Sequence, residues 1–341
     1  MDDKVRIGIL GCANIAQRYA IKAFQSIENS EVVSIASRNR EKAKNWASLF
    51  GLKAEESYES LVVNPEIDAV YIPLPIGLHK EWIFKAVAAG KHIICEKSLA
   101  ESFSSVKEIV SACRSKKIVL YENFMCDFHP QHEKVLSLIK NGDIGRPFVF
   151  RGYFGFPMMD KDDFRYNKEL GGGSLNDAGA YTVFMARKIF QNEPISVVCN
   201  LFYDKSLGVD LKGTAHLEFP EEKVAFLAFN FNAVYQNNYS VWGEKGLINV
   251  GRAYSIPPDT KPTVELTANI NLKDIKTDID ITATNHFKLI FRDFCDTVLN
   301  KDDRKGKIND TYLKIINQAK VLEAMRLSSK ENRKIKIAEI K

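Results

Sequence analysis

The segment Val5-Arg-Ile-Gly-Ile-Leu-Gly11-Cys-Ala13-Asn-Ile-Ala16 decides the fold of this chain. Val5–Leu10 reads as a short buried strand, and a helical pattern follows it through about Phe24. The turn between them, Gly8-Ile-Leu-Gly11-Cys-Ala13-Asn-Ile-Ala16, aligns with the dinucleotide fingerprint. Gly11 stands at the tight turn, and Ala13 and Ala16 stand where the pyrophosphate approaches and where helix meets strand. Alanine is small enough for a phosphate to reach the free amides of the helix start. Gly11, Cys12, Ala13, Asn14 and Ile15 are therefore candidate cofactor contacts. The same residues also suit a strand–turn–helix that binds nothing.

Outward from this turn the pattern alternates. Strands are predicted at Val32–Ala36, Ala69–Ile72, His92–Cys95 and Ile118–Tyr121, and helices at Arg40–Phe50, Lys80–Ala89 and Ser104–Ser115. Strands alternating with helices imply a doubly wound parallel sheet with right-handed crossovers. After about Asn123 the pattern changes. Phe148–Phe154, Ile195–Tyr203, Gly213–Phe219, Lys223–Asn232 and Asn238–Trp242 read as strands joined by short turns, hence a mostly antiparallel sheet. Helices at Ala178–Phe190, Asn285–Asn300 and Asp310–Ser328 are expected to cover one side of it. The fold class is α/β: a Rossmann domain over residues 1–123, then an α+β substrate-binding and oligomerisation domain with an open sheet over 124–341.

Composition narrows the function. The 341 residues carry 48 basic and 43 acidic side chains, a net charge of +5, and no basic run interleaved with aromatics, which points away from nucleic acid. No apolar run is long enough to span a bilayer, and the N-terminal segment has no signal-peptide pattern, so no membrane partner and a cytoplasmic location are expected. The six cysteines are scattered without a C-x-x-C pair and read as reduced packing residues. His129 and His132 near Asp127 have a metal-like spacing, but Pro130 interrupts it and no third ligand is evident, so no metal site is expected. An open sheet tends to bury its free face against a copy, which predicts a homodimer or homotetramer.

Ser37-Arg38 stands at the end of the second strand, where an NAD site usually carries an acidic residue. A guanidinium grips a 2′-phosphate with two charge-assisted bonds, and Ser37 can add another, so NADP(H) is expected rather than NAD(H). Alternatively Arg38 is a solvated residue at a helix start. Glu96-Lys97 follows the fourth strand at the carboxyl edge of the sheet, where the lysine can support a developing alkoxide or open a surface loop. In Gly171-Gly-Gly-Ser-Leu-Asn-Asp177-Ala-Gly-Ala-Tyr181, Asp177 and Tyr181 share a helix face, though Asn176 or Asp177 could equally cap the helix. Arg165 either touches substrate or salt-bridges a neighbour. Asn237 and Asn238 read as substrate contacts or as turn residues.

These motifs resemble the glucose–fructose oxidoreductase/inositol dehydrogenase (Gfo/Idh/MocA) superfamily. The resemblance rests on the N-terminal turn, Ala69-Val-Tyr-Ile-Pro-Leu-Pro75 with His79, the segment Ala89–Lys97, the segment Gly171–Tyr181, and Asn285-His-Phe. Tyr181 replaces a histidine common in inositol-type members. Gly11-Cys-Ala-Asn-Ile-Ala, Tyr121-Glu-Asn-Phe-Met125 with His129-Pro-Gln-His132, and Tyr235-Gln-Asn-Asn-Tyr239 are similar to bacterial 3-ketoreductases of dTDP-linked deoxysugars.

The resemblance implies an NADPH-dependent oxidoreductase reducing a keto group of a nucleotide-linked 3-keto hexose. It implies Lys97 and Tyr181 as the catalytic pair, with Tyr181 protonating the carbonyl oxygen. Asp177, Arg165 and Asn123 then meet the sugar, and Pro73, Leu74, His79 and Glu96 join Lys97 in lining the cofactor site. The alternatives are a dehydrogenase of free sugars, polyols or dihydrodiols, and a non-catalytic sensor of cofactor or sugar. One position departs from the family motif Glu-Lys-Pro: Ser98 replaces the proline, whose preceding peptide is usually cis. Both geometries stay open for this chain, cis or a trans bond that aims Lys97 differently.

Overall fold

The computed structural model describes residues 4–300 and 304–341. The chain begins with β1 (Val5–Leu10), a π-helical turn at Ala16–Ala20 that runs into α1 (Ile21–Gln25), β2 (Ser30–Ala36), α2 (Arg40–Phe50), β3 (Lys53–Ala54) and α3 (Tyr58–Val63). Next come β4 (Ala69–Ile72), α4 (Ile76–Ala88), β5 (His92–Cys95), α5 (Phe103–Ser115) and β6 (Leu120–Glu122). The six strands form a parallel sheet in the order β3-β2-β1-β4-β5-β6. The order reverses beside β1, at the switch point where open α/β sheets leave a crevice beyond their strand ends. Ile7 and Ile9 of β1 are fully buried, as a strand covered by helices on both faces requires.

Among the elements missed by periodicity is α3. Its six residues are too few to show a helical repeat, but its start is written in the sequence. The Ser57 side chain accepts from Ser60 N while Ser60 Oγ accepts from Ser57 N, a reciprocal cap. Helix α4 also begins earlier than the predicted Lys80, directly after Pro75, whose fixed φ suits a helix entry.

The rest of the chain supplies α6 (Pro130–Asn141), β7 (Pro147–Gly155), a second π-helical turn at Leu175–Gly179 continued by α7 (Ala180–Phe190), and β8 (Ser196–Tyr203). It continues through β9 (Asp210–Glu218), β10 (Val224–Asn230), β11 (Gln236–Gly243), β12 (Gly246–Gly251), β13 (Thr263–Ile270) and β14 (Lys273–Asp278). Helices α8 (His286–Leu299) and α9 (Arg304–Glu331) and the short β15 (Ile335–Lys336) close the chain. Nine strands pair in the order β14-β13-β12-β11-β7-β10-β9-β8-β15. All pairs are antiparallel except β7 with β10, which run parallel. Strand alternation sends Phe150, Phe154, Phe229 and Tyr239 into the core, and Tyr153, Phe226 and Trp242 to an open face.

Two compact units emerge: residues through Met125 together with Phe287–Ile316, and Cys126–His286 together with Asn317–Lys341. The sequence reading laid Asn285–Asn300 over the antiparallel sheet. Instead α8 packs with the parallel one: Phe291 stacks on Phe24 at 3.8 Å between centroids, and the Tyr121 hydroxyl donates to Asp293 Oδ2 at 2.8 Å. An apolar helix stripe shows that a helix is buried but does not name the sheet that buries it.

Candidate active site

In the first unit, the turn after β1 holds Gly11 at φ +117°, where a Cβ would lie 2.8 Å from Leu74 Cδ2. Only glycine leaves this approach clear, which fits the close passage of a pyrophosphate. Burial pushes the Cys12 thiol pKa up, while Ser37 and Lys42 oppose that shift. Lys42 Nζ donates to the Cys12 carbonyl at 2.8 Å, tying the start of α2 to the turn. Ala13 and Ile15 are half-buried and Asn14 is exposed.

Ser37 Oγ accepts from Asn39 N at 3.1 Å, and the Asn39 side chain caps α2 by accepting from Lys42 N at 2.9 Å. That cap turns Arg38 out into solvent. Arg40 is paired with Glu56, whereas Arg38 meets no carboxylate among the described residues. Its neighbour is the Tyr58 phenol, whose pKa burial pushes up while Arg38 pulls it back. Tyr58 also lies 3.5 Å from the Cβ position of Gly11. Sequence reasoning missed Tyr58 because it missed α3. A clear turn and an exposed guanidinium that meets no carboxylate among the described residues fit a phosphorylated dinucleotide.

Further along the sheet edge, Glu96 is half-buried, and its Oε1 accepts from the Tyr71 hydroxyl and from Asn123 Nδ2, each at 2.6 Å. Burial raises the Glu96 pKa against these donors. Asn123 is fully buried, so its amide serves Glu96. The Lys97–Ser98 peptide is cis, one of the two geometries the sequence left open. Leu99 N donates to Glu122 Oε1 at 2.8 Å and fixes the following residue. His79 is fully buried in α4, with Nε2 2.7 Å from the Leu74 carbonyl and Nδ1 3.1 Å from that of Ser98. Burial pulls its pKa down to about 4 against the pull of those carbonyls. His79 therefore joins the loop after β4, where Pro73 is buried and Leu74 half-buried, to the loop carrying Lys97.

In the second unit, the glycine run feeds the π-helical turn that precedes Tyr181. Gly173 has φ +119°, and a Cβ there would meet Asp210 Oδ1 at 2.4 Å. Asp210 Oδ2 accepts from Ser174 Oγ at 2.6 Å and from Leu175 N at 2.7 Å. A carboxylate from β9 thus caps the helix that carries Tyr181, a partner the local sequence does not reveal. Arg165 Nε donates to Asp177 Oδ2 at 2.5 Å, and Nη1 donates to Asp163 Oδ1 at 3.1 Å. Burial opposes the Arg165 charge, but Asp177 and Asp163 overcome it and hold its pKa above the ordinary value. Arg165 thus makes the salt bridge that is one of its two readings. Tyr181 is 5% exposed, with its ring against Phe154 at 5.4 Å and Tyr254 at 6.1 Å. π-helical turns recur at functional sites, and both candidate loops in this chain lead into one.

Asn237 and Asn238 are spent on protein partners: Asn237 Nδ2 donates to the Ser255 carbonyl at 2.6 Å and Asn238 Nδ2 to Gln236 Oε1 at 2.8 Å. His132 Nδ1 lies 2.9 Å from the Tyr239 hydroxyl and Nε2 lies 3.0 Å from the Ala253 carbonyl. Among the described residues no cluster of three or more His, Cys, Asp or Glu is placed to hold a metal, and no helix is long and apolar enough to cross a membrane.

The sequence profile of the Gfo/Idh/MocA oxidoreductase family, with an NAD-binding Rossmann fold, matches residues 5–124, and that of the Gfo/Idh/MocA C-terminal domain matches 132–249. A dTDP-3,4-didehydro-2,6-dideoxy-alpha-D-glucose 3-reductase from Saccharopolyspora spinosa is 34% identical over 333 residues, covering 95% of this chain and 97% of that protein. The crystal structure of KijD10, a 3-ketoreductase from Actinomadura kijaniata in complex with NADP and TDP-benzene, superposes with a TM-score of 0.89 at 31% identity. The match covers 96% of this chain and 98% of that one. A trans-1,2-dihydrobenzene-1,2-diol dehydrogenase from Xenopus laevis is 32% identical over 247 residues, 71% of this chain and 74% of its own length.

Proposed function

The chain belongs to the Gfo/Idh/MocA oxidoreductase family, and on that premise we propose that it is an NADP(H)-dependent reductase of a keto group on a nucleotide-linked sugar, a 3-keto deoxyhexose. The observation that carries this reading is the retention of both Lys97 and Tyr181 in a chain that matches 3-ketoreductases over nearly its full length. KijD10 was also solved as variants with a tyrosine changed to phenylalanine and a lysine changed to alanine, which supports weighing those two residue types first.

Gly11, Cys12, Ala13, Asn14 and Ile15 would hold the pyrophosphate, and Ser37 with Arg38 the 2′-phosphate. Bound NADPH supplies the hydride for the carbonyl carbon. Tyr181 gives its phenolic proton to the carbonyl oxygen as charge develops there. Lys97 stabilises that charge electrostatically and favours the ionised form of the phenol. Asp177, held by Arg165, orients the sugar hydroxyls. Glu96, Asn123 and His79 act one step back, by fixing the backbone that carries Lys97.

We assign cofactor binding to residues 1–123 and substrate binding with self-association to 124–341. The open sheet face carries Phe202, Phe226 and Trp242 at 51%, 45% and 50% exposure, which supports a homodimer or homotetramer built on it. The six cysteines are free thiols, which suits a reducing compartment, and we assign the cytoplasm.

The test is a thermal-shift panel of the NADP-saturated protein with TDP, UDP, GDP, CDP and free sugars. A ligand at about 100 times its dissociation constant stabilises by about 2.7 kcal/mol. Selective stabilisation by one nucleotide supports the proposal. Stabilisation by a free sugar alone favours the second reading, a sugar or dihydrodiol dehydrogenase.

A further inference from the structure

A nucleotide-linked substrate brings a diphosphate, and a diphosphate needs a cation that nothing else has claimed. Arg165, the arginine just before the glycine run, is committed to Asp177 and Asp163. Arg252 is not: it is exposed, and no carboxylate pairs with it among the described residues. It follows directly on β12 and holds φ at +56°, a left-handed conformation that residues other than glycine seldom adopt. Its guanidinium sits 5.0 Å over the ring of Tyr235, and Nη1 donates to the Tyr235 hydroxyl at 3.3 Å. Tyr235 is itself 40% exposed.

The pair is built rather than incidental. β7 and β10 end together at Gly155 and Asn230, and β11 starts and β12 ends beside them. The loops that carry Tyr235 and Arg252 therefore meet at one end of the sheet. Asn237, 4% exposed, fastens them: Nδ2 donates to the Tyr235 hydroxyl at 2.9 Å and to the Ser255 carbonyl at 2.6 Å, and Oδ1 accepts from Tyr254 N at 2.7 Å. Tyr254 in turn packs against Phe154 and Tyr181, at 5.2 and 6.1 Å between centroids. A short run of packed groups thus joins the pair to Tyr181.

Resting on the reading that the substrate carries a nucleotide, we propose that Arg252 and Tyr235 form the subsite for its nucleoside diphosphate handle. The guanidinium fork takes the phosphate oxygens, and the stacked guanidinium–phenol pair offers a flat surface to the pyrimidine. The cation–π contact holds the fork in place before the ligand arrives.

The experiment measures TDP and thymidine binding by calorimetry to the NADP-saturated protein, as wild type, Arg252→Gln, Arg252→Asn and Tyr235→Leu. Asparagine tolerates the left-handed backbone, so Arg252→Asn separates loss of charge from loss of fold. Arg252 variants are expected to weaken TDP by about tenfold to a hundredfold, the worth of a charge-assisted contact, and to leave thymidine within about twofold. Tyr235→Leu is expected to weaken both ligands. NADP affinity should be the same in all four proteins. If wild type binds TDP and every variant binds it equally well, this inference is overturned while the proposed function stands. If wild type binds no TDP, the nucleotide reading itself fails and takes the subsite with it.

Discussion

The Arg165 guanidinium and the Asp177 carboxylate stand 2.5 Å apart, with only 22% and 11% of their side chains exposed. Removing one partner of such a pair leaves a poorly solvated charge, which costs more than the pair itself contributes. Arg165→Met is expected to destabilise by about 3 kcal/mol in urea unfolding. The double variant Arg165→Met/Asp177→Asn should recover part of that loss, a coupling of roughly 0.5–3 kcal/mol. Strictly additive losses would mean that the two side chains do not support each other.

Asp210 reaches from β9 to cap the turn that leads into Tyr181. Asp210→Ala removes both accepted hydrogen bonds and is expected to cost about 1–2 kcal/mol of stability. Turnover should fall while NADPH affinity stays unchanged, because the first-unit contacts are untouched. Asp210→Asn keeps an acceptor and should restore most of the turnover. A variant that loses stability but keeps full turnover would show that the cap does not position Tyr181.

Arg38, at the cofactor end, is exposed and meets no carboxylate among the described residues. Arg38→Ala should weaken NADPH by about tenfold or more and leave NADH nearly unchanged, since the lost contact is to the 2′-phosphate alone. Fluorescence titration with both coenzymes checks this. Equal weakening of the two would move the phosphate contact elsewhere.

Three buried histidines make the second unit acid-sensitive. The His129 and His286 rings meet at 5.6 Å, and burial pulls their pKa values down to about 4 and about 3. His132 is held well below its ordinary value by burial and by nearby Lys188, while facing the Tyr239 hydroxyl and the Ala253 carbonyl. An unfolded imidazole titrates at about 6.5, above all three. Below that pH the unfolded chain binds more protons than the folded one, so stability is full above about 6.5 and falls as pH drops toward about 4. Tm measured across that window should decline, and His129→Gln should decline less steeply. A flat Tm profile would contradict the assignment.

Much of this is legible in the sequence alone. β1, α2, β4 and β5 lie where periodicity put them, because each couples a strong apolar pattern to a clear breaker such as Gly51 or Gly90. β13 and the edge strand β14 were not legible: β14 is exposed at every residue, so no apolar alternation marks it. At the candidate site, the sequence named residues and the fold supplied their partners. Arg165 with Asp177 and Glu96 with Asn123 are separated by 12 and 27 residues, and Asp210 caps a helix 35 residues before it. Contacts at such separations have no local signature. Tyr58 and Arg252 escaped for a related reason: one lies in a helix too short to show a repeat, the other in a loop whose left-handed turn is made by an arginine.

The most direct test follows NADPH oxidation by the purified protein with a dTDP-linked 3-keto deoxysugar, alongside free keto sugars and a Tyr181→Phe variant. The account predicts steady oxidation with the nucleotide-linked substrate, little with the free sugar, and turnover lowered about 10²–10⁴-fold in Tyr181→Phe. Oxidation with free sugars alone, or an unimpaired Tyr181→Phe enzyme, would contradict it.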